Sequence, residues 1–201
     1  MILIGIGANL EGPWGTAHES LIRSICELNN QRLYVVKTSR VYSTSPVGGG
    51  QGRYVNAVVS LATHLPPLAL LSRLKQVERE AGRRAGRRWS ARPLDLDILA
   101  YHDIIRGWRA PALRPVSAVP APCIAPAGSL ILPHPQLHVR PFVIRPLLDI
   151  APDWHHPVCG NTVSQMWRRV KSVAHGRIVA DLGPLRATQQ NALPISGKSG
   201  A

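Results

Sequence analysis

The pattern of apolar and polar residues along this chain predicts a series of strands and helices. Residues 2–7 are almost continuously apolar, which predicts a buried strand that ends at Gly7-Ala8-Asn9. Apolar residues at helical spacing, such as Leu70, Leu74 and Val77, predict helices. In chain order, the predicted elements are strand 2–7, helix 16–29, strand 32–43, strand 54–63, helix 67–81, which stops at Gly82, and a strand that ends near Tyr101.

This order of elements is the β-α-β-β-α-β arrangement of a ferredoxin-like fold. It predicts an α+β protein in which helices pack on one face of a mainly antiparallel sheet, with loops at the sheet edge free to build a site. Three segments could converge at that edge. They are the Gly-rich loop 45–53, the Arg-rich loop 83–92 and the strand that follows it.

The second half of the chain is less regular. Prolines interrupt residues 103–130, which we interpret as an insertion in a single domain of residues 1–182. A short helix is expected at 161–171, and the polar segment 188–201 is expected to be a disordered tail. The uncharged stretch 116–133 is long enough to cross a membrane, but its four prolines exclude a membrane helix.

Size and charge limit the class of protein. The chain has 201 residues and a formal net charge of +13. This length suits one domain with a substantial core, and the charge predicts an anionic partner such as a nucleotide, a nucleic acid or a membrane surface. Cys26, Cys123 and Cys159 show no metal-binding spacing, and the apolar N-terminus lacks a basic leader, so we expect a reduced, cytoplasmic protein.

Asp95 and Asp97 stand out within an apolar run. Because side chains alternate along a strand, both carboxylates point to one face while Leu94, Leu96 and Ile98 point into the core. Two such carboxylates repel each other unless a cation lies between them, and Mg²⁺ prefers one or two carboxylates together with substrate phosphates. An Asp-x-Asp alone could equally be a solvated strand face. The arginines that precede it favour a phosphate site: Arg79, Arg83, Arg84, Arg87, Arg88 and Arg92.

Several short motifs, in a fixed order, resemble the 6-hydroxymethyl-7,8-dihydropterin pyrophosphokinases of folate biosynthesis. Each motif is weak alone, but their order and spacing are specific, and the resemblance covers residues 4 to about 165. The motifs are Gly5-Ile6-Gly7-Ala8-Asn9-Leu10, Tyr42-Ser43-Thr44-Ser45-Pro46-Val47-Gly48, Tyr54-Val55-Asn56-Ala57, Arg92-Pro93-Leu94-Asp95-Leu96-Asp97-Ile98, Pro133-His134-Pro135, Arg140-Pro141-Phe142 and Pro146-Leu147-Leu148-Asp149-Ile150-Ala151-Pro152.

The resemblance implies a monomeric, Mg²⁺-dependent transferase. Such an enzyme moves pyrophosphate from ATP to the hydroxymethyl group of the dihydropterin and releases AMP. It further implies that Asp95 and Asp97 hold two Mg²⁺ ions and that Arg83 and Arg92 act with them in catalysis. No membrane partner is expected, and no general base is evident.

The resemblance also assigns substrate contacts. The residues implied for ATP are Glu78, Arg88, Trp89, Arg92, His134 and Arg140, with Arg84 and Arg87 competing for one further position. The residues implied for the pterin are Thr44, Pro46, Val47, Tyr54, Asn56, Trp89 and Phe142. The residues themselves agree with the pterin assignment, because Tyr54 and Asn56 share one strand face and Phe142 is the only Phe in the chain.

Two other functions are compatible with parts of the sequence. A palm-like nucleotidyltransferase would also place an Asp-x-Asp on a ferredoxin-like sheet, but the Gly-Ser signature that usually precedes it is absent. A basic RNA-binding module would explain the charge, but it leaves Asp95 and Asp97 without a purpose. The chain also departs from the family pattern at Ala8, in the insertion, and at Ser129 and Ile131 just before His134.

Overall fold

The structure is a computed structural model that describes residues 1–47, 52–84, 92–108 and 129–185. The predicted tail 188–201 and most of the predicted insertion lie outside these ranges. Within them, no helix is both long enough and apolar enough to cross a membrane. Because the tail and most of the insertion are not described, the domain boundaries inferred from the sequence stay a prediction.

The described residues form six strands, four α-helices and one short 3₁₀ turn. They are β1 (Ile2–Ala8), α1 (Ala17–Glu27), β2 (Leu33–Thr38), β3 (Arg40–Thr44), β4 (Tyr54–Thr63), α2 (Pro67–Glu80), β5 (Asp95–Tyr101), the 3₁₀ turn Leu137–Val139, α3 (Pro141–Ile150), α4 (Val163–Val170) and β6 (Ile178–Pro184).

One antiparallel sheet organises these elements. Its strands lie in the order β5-β1-β4-β3-β6, and β2 pairs with β4 beside β3. The order of the first five strands, with β2 and β3 counted as one broken strand, is that of the split β-α-β unit. The predicted α+β, ferredoxin-like core is therefore confirmed.

The predicted strand 32–43 is broken at Ser39, which separates β2 from β3. Ser39 is buried, and it exchanges two hydrogen bonds of 2.9 Å with the backbone of Val58. Its N–H donates to the carbonyl of Val58, and its Oγ accepts from the N–H of Val58. A side-chain oxygen has thus replaced one backbone acceptor, which a pattern of apolar residues cannot reveal.

Both faces of the sheet are covered, in contrast to the predicted single helical layer. Ile2, Ile4 and Ile6 of β1 pack in one core with α1 and α2, whereas Leu3 belongs to a second core formed with α3 and α4. The predicted helix 161–171 corresponds to α4, whose first turn is capped by Thr162. The further helix α3 was not predicted, and it places its N-terminus beside the face of the sheet on which Asp95 and Asp97 lie.

Candidate active site

A cavity of about 580 Å³ lies between the sheet and the beginning of α3. Four strands contribute to its floor, and the segment that follows residue 130 forms a wall. Its lining includes Gly5, Gly7, Asn9, Thr44, Ser45, Val47, Tyr54, Asn56, Arg92, Asp95, Asp97, His134, Gln136, Arg140 and Phe142. The cavity thus collects most of the residues that the sequence singles out.

The floor of this cavity is open because β1 has glycines there. Gly7 pairs with Asn56 on one side and with Asp95 on the other, and Gly5 pairs with Asp97. A Cβ atom on Gly7 would lie 3.0 Å from Oδ1 of Asn56. A larger residue would therefore occupy the space between the amide on β4 and the carboxylate on β5.

Asp95 is the acceptor for two arginines. Its Oδ1 accepts hydrogen bonds from Nη1 of Arg83 at 2.5 Å and from Nη1 of Arg92 at 3.0 Å. Burial alone would raise the pKa of Asp95, but the charges of Arg83, Arg92 and Lys75 outweigh burial and hold this pKa below its ordinary value. The site therefore presents an ionised carboxylate next to two cations.

The main chain of Arg92 is fixed by Asn9, which follows the end of β1. Oδ1 of Asn9 accepts from the N–H of Arg92 at 2.7 Å, and the Asn9 N–H donates to the Arg92 carbonyl at 3.1 Å. These two bonds hold the entrance to β5 against β1. Asn9 lies in a motif that the sequence highlights, yet no role was predicted for it, and only the register of β1 against β5 reveals its partner.

Glu78 lies beneath the cavity rather than in its lining. Its side chain is 1% exposed, and its Oε1 accepts from the Leu96 N–H at 2.7 Å and lies 2.5 Å from Nη1 of Arg83. Lys75 contributes a third contact at 2.8 Å. Burial raises the pKa of Glu78 despite these two cationic neighbours. The geometry thus favours support of Arg83 over the predicted contact with ATP.

At the other end of the cavity, an amide faces two aromatic residues. Asn56 is buried, and its Nδ2 donates to Oγ1 of Thr44 at 2.8 Å, which fixes the orientation of the amide. Tyr54 lies on the same strand face, as the sequence predicts, and Phe142 enters from α3. The Arg140 guanidinium lies 5.4 Å from the centre of the Phe142 ring.

His134 lies near the carboxylates. Its N–H donates to the Leu99 carbonyl at 2.8 Å, and its Nδ1 accepts from the N–H of Gln136 at 3.2 Å. In the neutral ring the proton is therefore on Nε2. Burial lowers the pKa of His134, so the neutral form prevails near pH 7.

Comparison with known proteins decides the family. The family described as 7,8-dihydro-6-hydroxymethylpterin-pyrophosphokinase (HPPK) matches residues 3–152. The chain belongs to this family. Relatives named 2-amino-4-hydroxy-6-hydroxymethyldihydropteridine pyrophosphokinase include that of Haemophilus influenzae, which is 40% identical over 152 residues, or 75% of this chain and 81% of the relative. The relative from Synechocystis is 32% identical over 173 residues, or 86% of this chain and 77% of the relative.

Solved structures support the fold of this HPPK family member. The crystal structure of wild-type Plasmodium falciparum HPPK-DHPS with pteroate superimposes with a TM-score of 0.62 at 13% identity. The alignment covers 85% of this chain but only 44% of that one. This likeness concerns the fold alone, since the identity is low and less than half of the other chain is aligned.

The residues implied by the family resemblance divide into three groups. Most lie together in the cavity, namely Thr44, Val47, Tyr54, Asn56, Arg92, Asp95, Asp97, His134, Arg140 and Phe142. Arg83 reaches this group through Asp95, whereas Glu78 lies below it and Pro46 is not part of the lining. Arg88, Trp89 and Arg87 lie outside the described residues, so their contacts, and the choice between Arg84 and Arg87, stay predictions.

Three polar side chains in the lining were not predicted as site residues. Ser45 and Gln136 line the cavity together with Asn9. Ser45 lies between two predicted residues, Thr44 and Pro46, so its position next to the cavity could have been inferred from sequence distance. Gln136 offers no such signal, because it precedes a 3₁₀ turn that the sequence does not indicate.

Proposed function

We propose that this HPPK family member transfers the terminal pyrophosphate of ATP to 6-hydroxymethyl-7,8-dihydropterin, a reaction of folate biosynthesis. The proposal rests on the arrangement of side chains at the two ends of one cavity. The carboxylate pair Asp95 and Asp97, with the two arginines next to Asp95, lies at one end, and the Asn56 amide lies with Tyr54 and Phe142 at the other. Such a cavity suits a phosphorylated substrate next to a flat heterocycle.

The reaction joins the two ends of the cavity. The hydroxymethyl oxygen of the pterin forms a bond to the β-phosphorus of ATP, and the bond from that phosphorus to the bridging α,β-oxygen breaks. AMP leaves with the bridging oxygen, and the hydroxyl proton passes to solvent. Since transfers of this kind depend on positioning and on electrostatic stabilisation, the protein needs fixed cations more than a nucleophile of its own.

The acidic pair fits a role in binding Mg²⁺. Asp95 and Asp97 offer carboxylate oxygens on one strand face, and no third acidic, His or Cys side chain completes a metal site among the residues that the structure describes. Mg²⁺ commonly takes only one or two protein carboxylates and completes its coordination with phosphate and water. When bound, two ions would neutralise phosphate charge and orient the triphosphate.

The arginines supply permanent positive charge at the same end. Arg83 and Arg92 share the Oδ1 atom of Asp95, and both are anchored independently, Arg83 by Glu78 and the main chain of Arg92 by Asn9. We assign both guanidiniums to the phosphates, since their planar donors match phosphate oxygens. His134 and Arg140 in the wall, together with Arg88 and Trp89, complete the proposed contacts to ATP.

The pterin end is organised by hydrogen bonding. Nδ2 of Asn56 donates to Thr44, which fixes the orientation of the amide, and Oδ1 is the atom of this amide that would accept from the pterin. Tyr54 and Phe142 would stack on the ring faces. Thr44, Val47 and Trp89 complete the proposed pterin contacts.

We also propose that the protein acts as a monomer in the cytoplasm, where its substrate ATP is abundant. The proposal does not include RNA binding, because an RNA-binding surface would not require Asp95 or Asp97. Insensitivity of activity to these carboxylates would favour that alternative.

The direct test is AMP release from ATP and Mg²⁺, measured with and without 6-hydroxymethyl-7,8-dihydropterin. We expect AMP and pterin diphosphate in equal amounts, and no ADP. Asp95→Asn and Asp97→Asn should each abolish pterin-dependent AMP, whereas Asp103→Asn, an exposed acid in the turn after β5, should leave it unchanged. Pterin-independent AMP release, or equal rates in all three variants, would refute the proposal.

A further inference from the structure

The segment between α4 and β6 packs against the pterin end of the cavity. Gly176, in this segment, is buried and has a φ of 68°. A Cβ atom at this position would lie 2.5 Å from Cδ1 and 3.2 Å from Cε1 of Phe142, and 3.4 Å from Cγ2 of Val47. The backbone of Gly176 is therefore in close contact with two residues that line the cavity, although Gly176 itself does not line it.

Hydrogen bonds fix this segment to the loop after β3. The Ser45 N–H donates to the carbonyl of Arg177 at 3.0 Å, and the Arg177 N–H donates to Oγ of Ser45 at 3.0 Å. The Ser45 Oγ also lies 3.5 Å from the carbonyl of Ala174. The contact with Phe142 is thus set by hydrogen bonds between Ser45 and residues on either side of Gly176, namely Ala174 and Arg177.

The pairing of strands continues this attachment. Thr44 pairs with Ile178 and Ser43 with Ala180, so β6 extends the same sheet that presents Asn56. Gly176, Ile178 and Ala180 lie beyond the part of the chain that the family match covers, which ends at residue 152. The pterin end is therefore built partly by a segment outside that match.

We infer that Gly176 is a positioning residue for the dihydropterin, which it serves by fixing the Phe142 ring and Val47. This inference rests on the proposed function, because it assumes that the pterin stacks on Phe142. Only glycine fulfils the role, since the backbone has a positive φ and the ring edge occupies the place of a Cβ atom. Any side chain at this position must displace the ring or detach the segment from Ser45.

The chain offers a matched control for backbone strain. Gly160 has the same φ of 68°, but a Cβ atom there would meet nothing within 4 Å. Gly160→Ala therefore imposes the strain of a positive φ without contact with the cavity. A difference in pterin affinity between Gly176→Ala and Gly160→Ala therefore measures the effect of the contact with Phe142 and Val47.

The test is the dissociation constant of 6-hydroxymethyl-7,8-dihydropterin, measured by calorimetry in the presence of a non-hydrolysable ATP analogue. We expect Gly176→Ala to raise this constant at least about tenfold, since displacement of a binding group by about 1 Å has effects of this order or more. Gly160→Ala should change it by less than about twofold, and the Kd of the ATP analogue, measured without pterin, should stay within about twofold in both variants.

Two further variants separate positioning from folding. In a Phe142→Leu background, Gly176→Ala should raise the pterin dissociation constant by less than a further factor of about three, because its effect depends on the Phe142 ring. If Gly176→Ala fails to fold, Ser45→Ala provides the test, because it removes the acceptor for Arg177 while keeping Gly176. We expect this variant to bind the pterin several-fold more weakly. Equal effects of Gly176→Ala and Gly160→Ala, or additivity with Phe142→Leu, would overturn the inference. Absence of pterin binding by the wild-type protein would instead overturn the proposed function.

Discussion

Asn56 and Asp95 lie in the same row of the sheet, on opposite sides of Gly7, which pairs with both. Two strand spacings place their backbones roughly 10 Å apart. An amide suited to a heterocycle and a carboxylate suited to a metal are thus separated by a strand position without a side chain. In the proposed function, the hydroxymethyl group and the phosphates would lie between them.

Gly7→Ala tests this arrangement. Its new methyl group would lie 3.0 Å from Oδ1 of Asn56, the atom proposed to accept from the pterin. We expect the dissociation constant of the dihydropterin to rise about tenfold, the effect of one impaired buried hydrogen bond. Gly5→Ala is the control, because its methyl group would meet the apolar side chain of Leu99 at 3.2 Å instead. An equal loss in both variants, measured by calorimetry, would show that Asn56 is not the affected group.

Arg92→Ala should separate catalysis from stability. The Arg92 side chain is 24% exposed and pairs with Asp95, while its backbone remains bonded to Asn9 in the variant. We expect kcat to fall by about 10²–10³-fold, as for other lost donors to a transition state. The free energy of unfolding should change by less than about 1 kcal/mol.

The control for this variant is Arg40→Ala. Arg40 forms an ion pair with Asp181 at 2.6 Å, at the far end of β3 from the cavity. Its loss should leave kcat unchanged. An unchanged single-turnover rate in Arg92→Ala would contradict the role assigned to Arg92.

Glu78→Ala should act first on stability. The carboxylate is buried and bonded to Lys75, Arg83 and the Leu96 N–H, so its removal breaks two ion pairs and leaves the buried Leu96 N–H without an acceptor. We expect a loss of about 3–5 kcal/mol in the free energy of unfolding, measured with urea. Glu80→Ala on the same helix should cost less than about 0.5 kcal/mol, because the Glu80 side chain is 41% exposed. If Glu78 instead contacted ATP directly, stability would be retained and only ATP binding would weaken.

The depth of Glu78 was in principle readable from the sequence. Position 78 follows Leu70 and Leu74 at intervals of four, on the buried stripe of α2. The family resemblance assigned the residue to ATP, and the alternative interpretation, an exposed helix carboxylate, is wrong because Glu78 is buried. By contrast, no sequence signal shows that Arg83 would join Glu78 to Asp95, because this depends on how the end of α2 meets β5.

The elements that sequence periodicity missed have physical reasons of their own. Helix α3 contains Pro141 and Pro146, which ordinarily argue against a helix, although Pro141 occupies the first turn, where proline is tolerated. Strand β6 has no buried stripe, since Val179 and Leu182 are 40% and 46% exposed, and it exists through its pairing with β3. Strands β1 and β4 were predicted correctly because both are anchored by continuous apolar cores.

His156 should make stability depend on pH. The residue is fully buried against Trp108, His138 and Trp154, and its Nδ1 accepts from the N–H groups of Val158 and Cys159. Burial, with a smaller contribution from the charge of His138, lowers the pKa of His156 to about 4. The unfolded chain binds a proton near pH 6.5, the native state only near pH 4, so stability falls as the pH drops through this window.

The loss assigned to His156 is roughly 3 kcal/mol between pH 6.5 and pH 4, because each pKa unit corresponds to about 1.4 kcal/mol. His156→Asn, whose Oδ1 can still accept from Val158 and Cys159, should remove most of this slope. Part of the slope should persist, because burial also lowers the pKa of His138 and of His134. His155→Asn, at an exposed neighbouring position, should keep the full slope. Urea unfolding of the three proteins at half-unit pH intervals decides between these outcomes, and parallel curves for the wild type and His156→Asn would show that His156 is not the group that titrates.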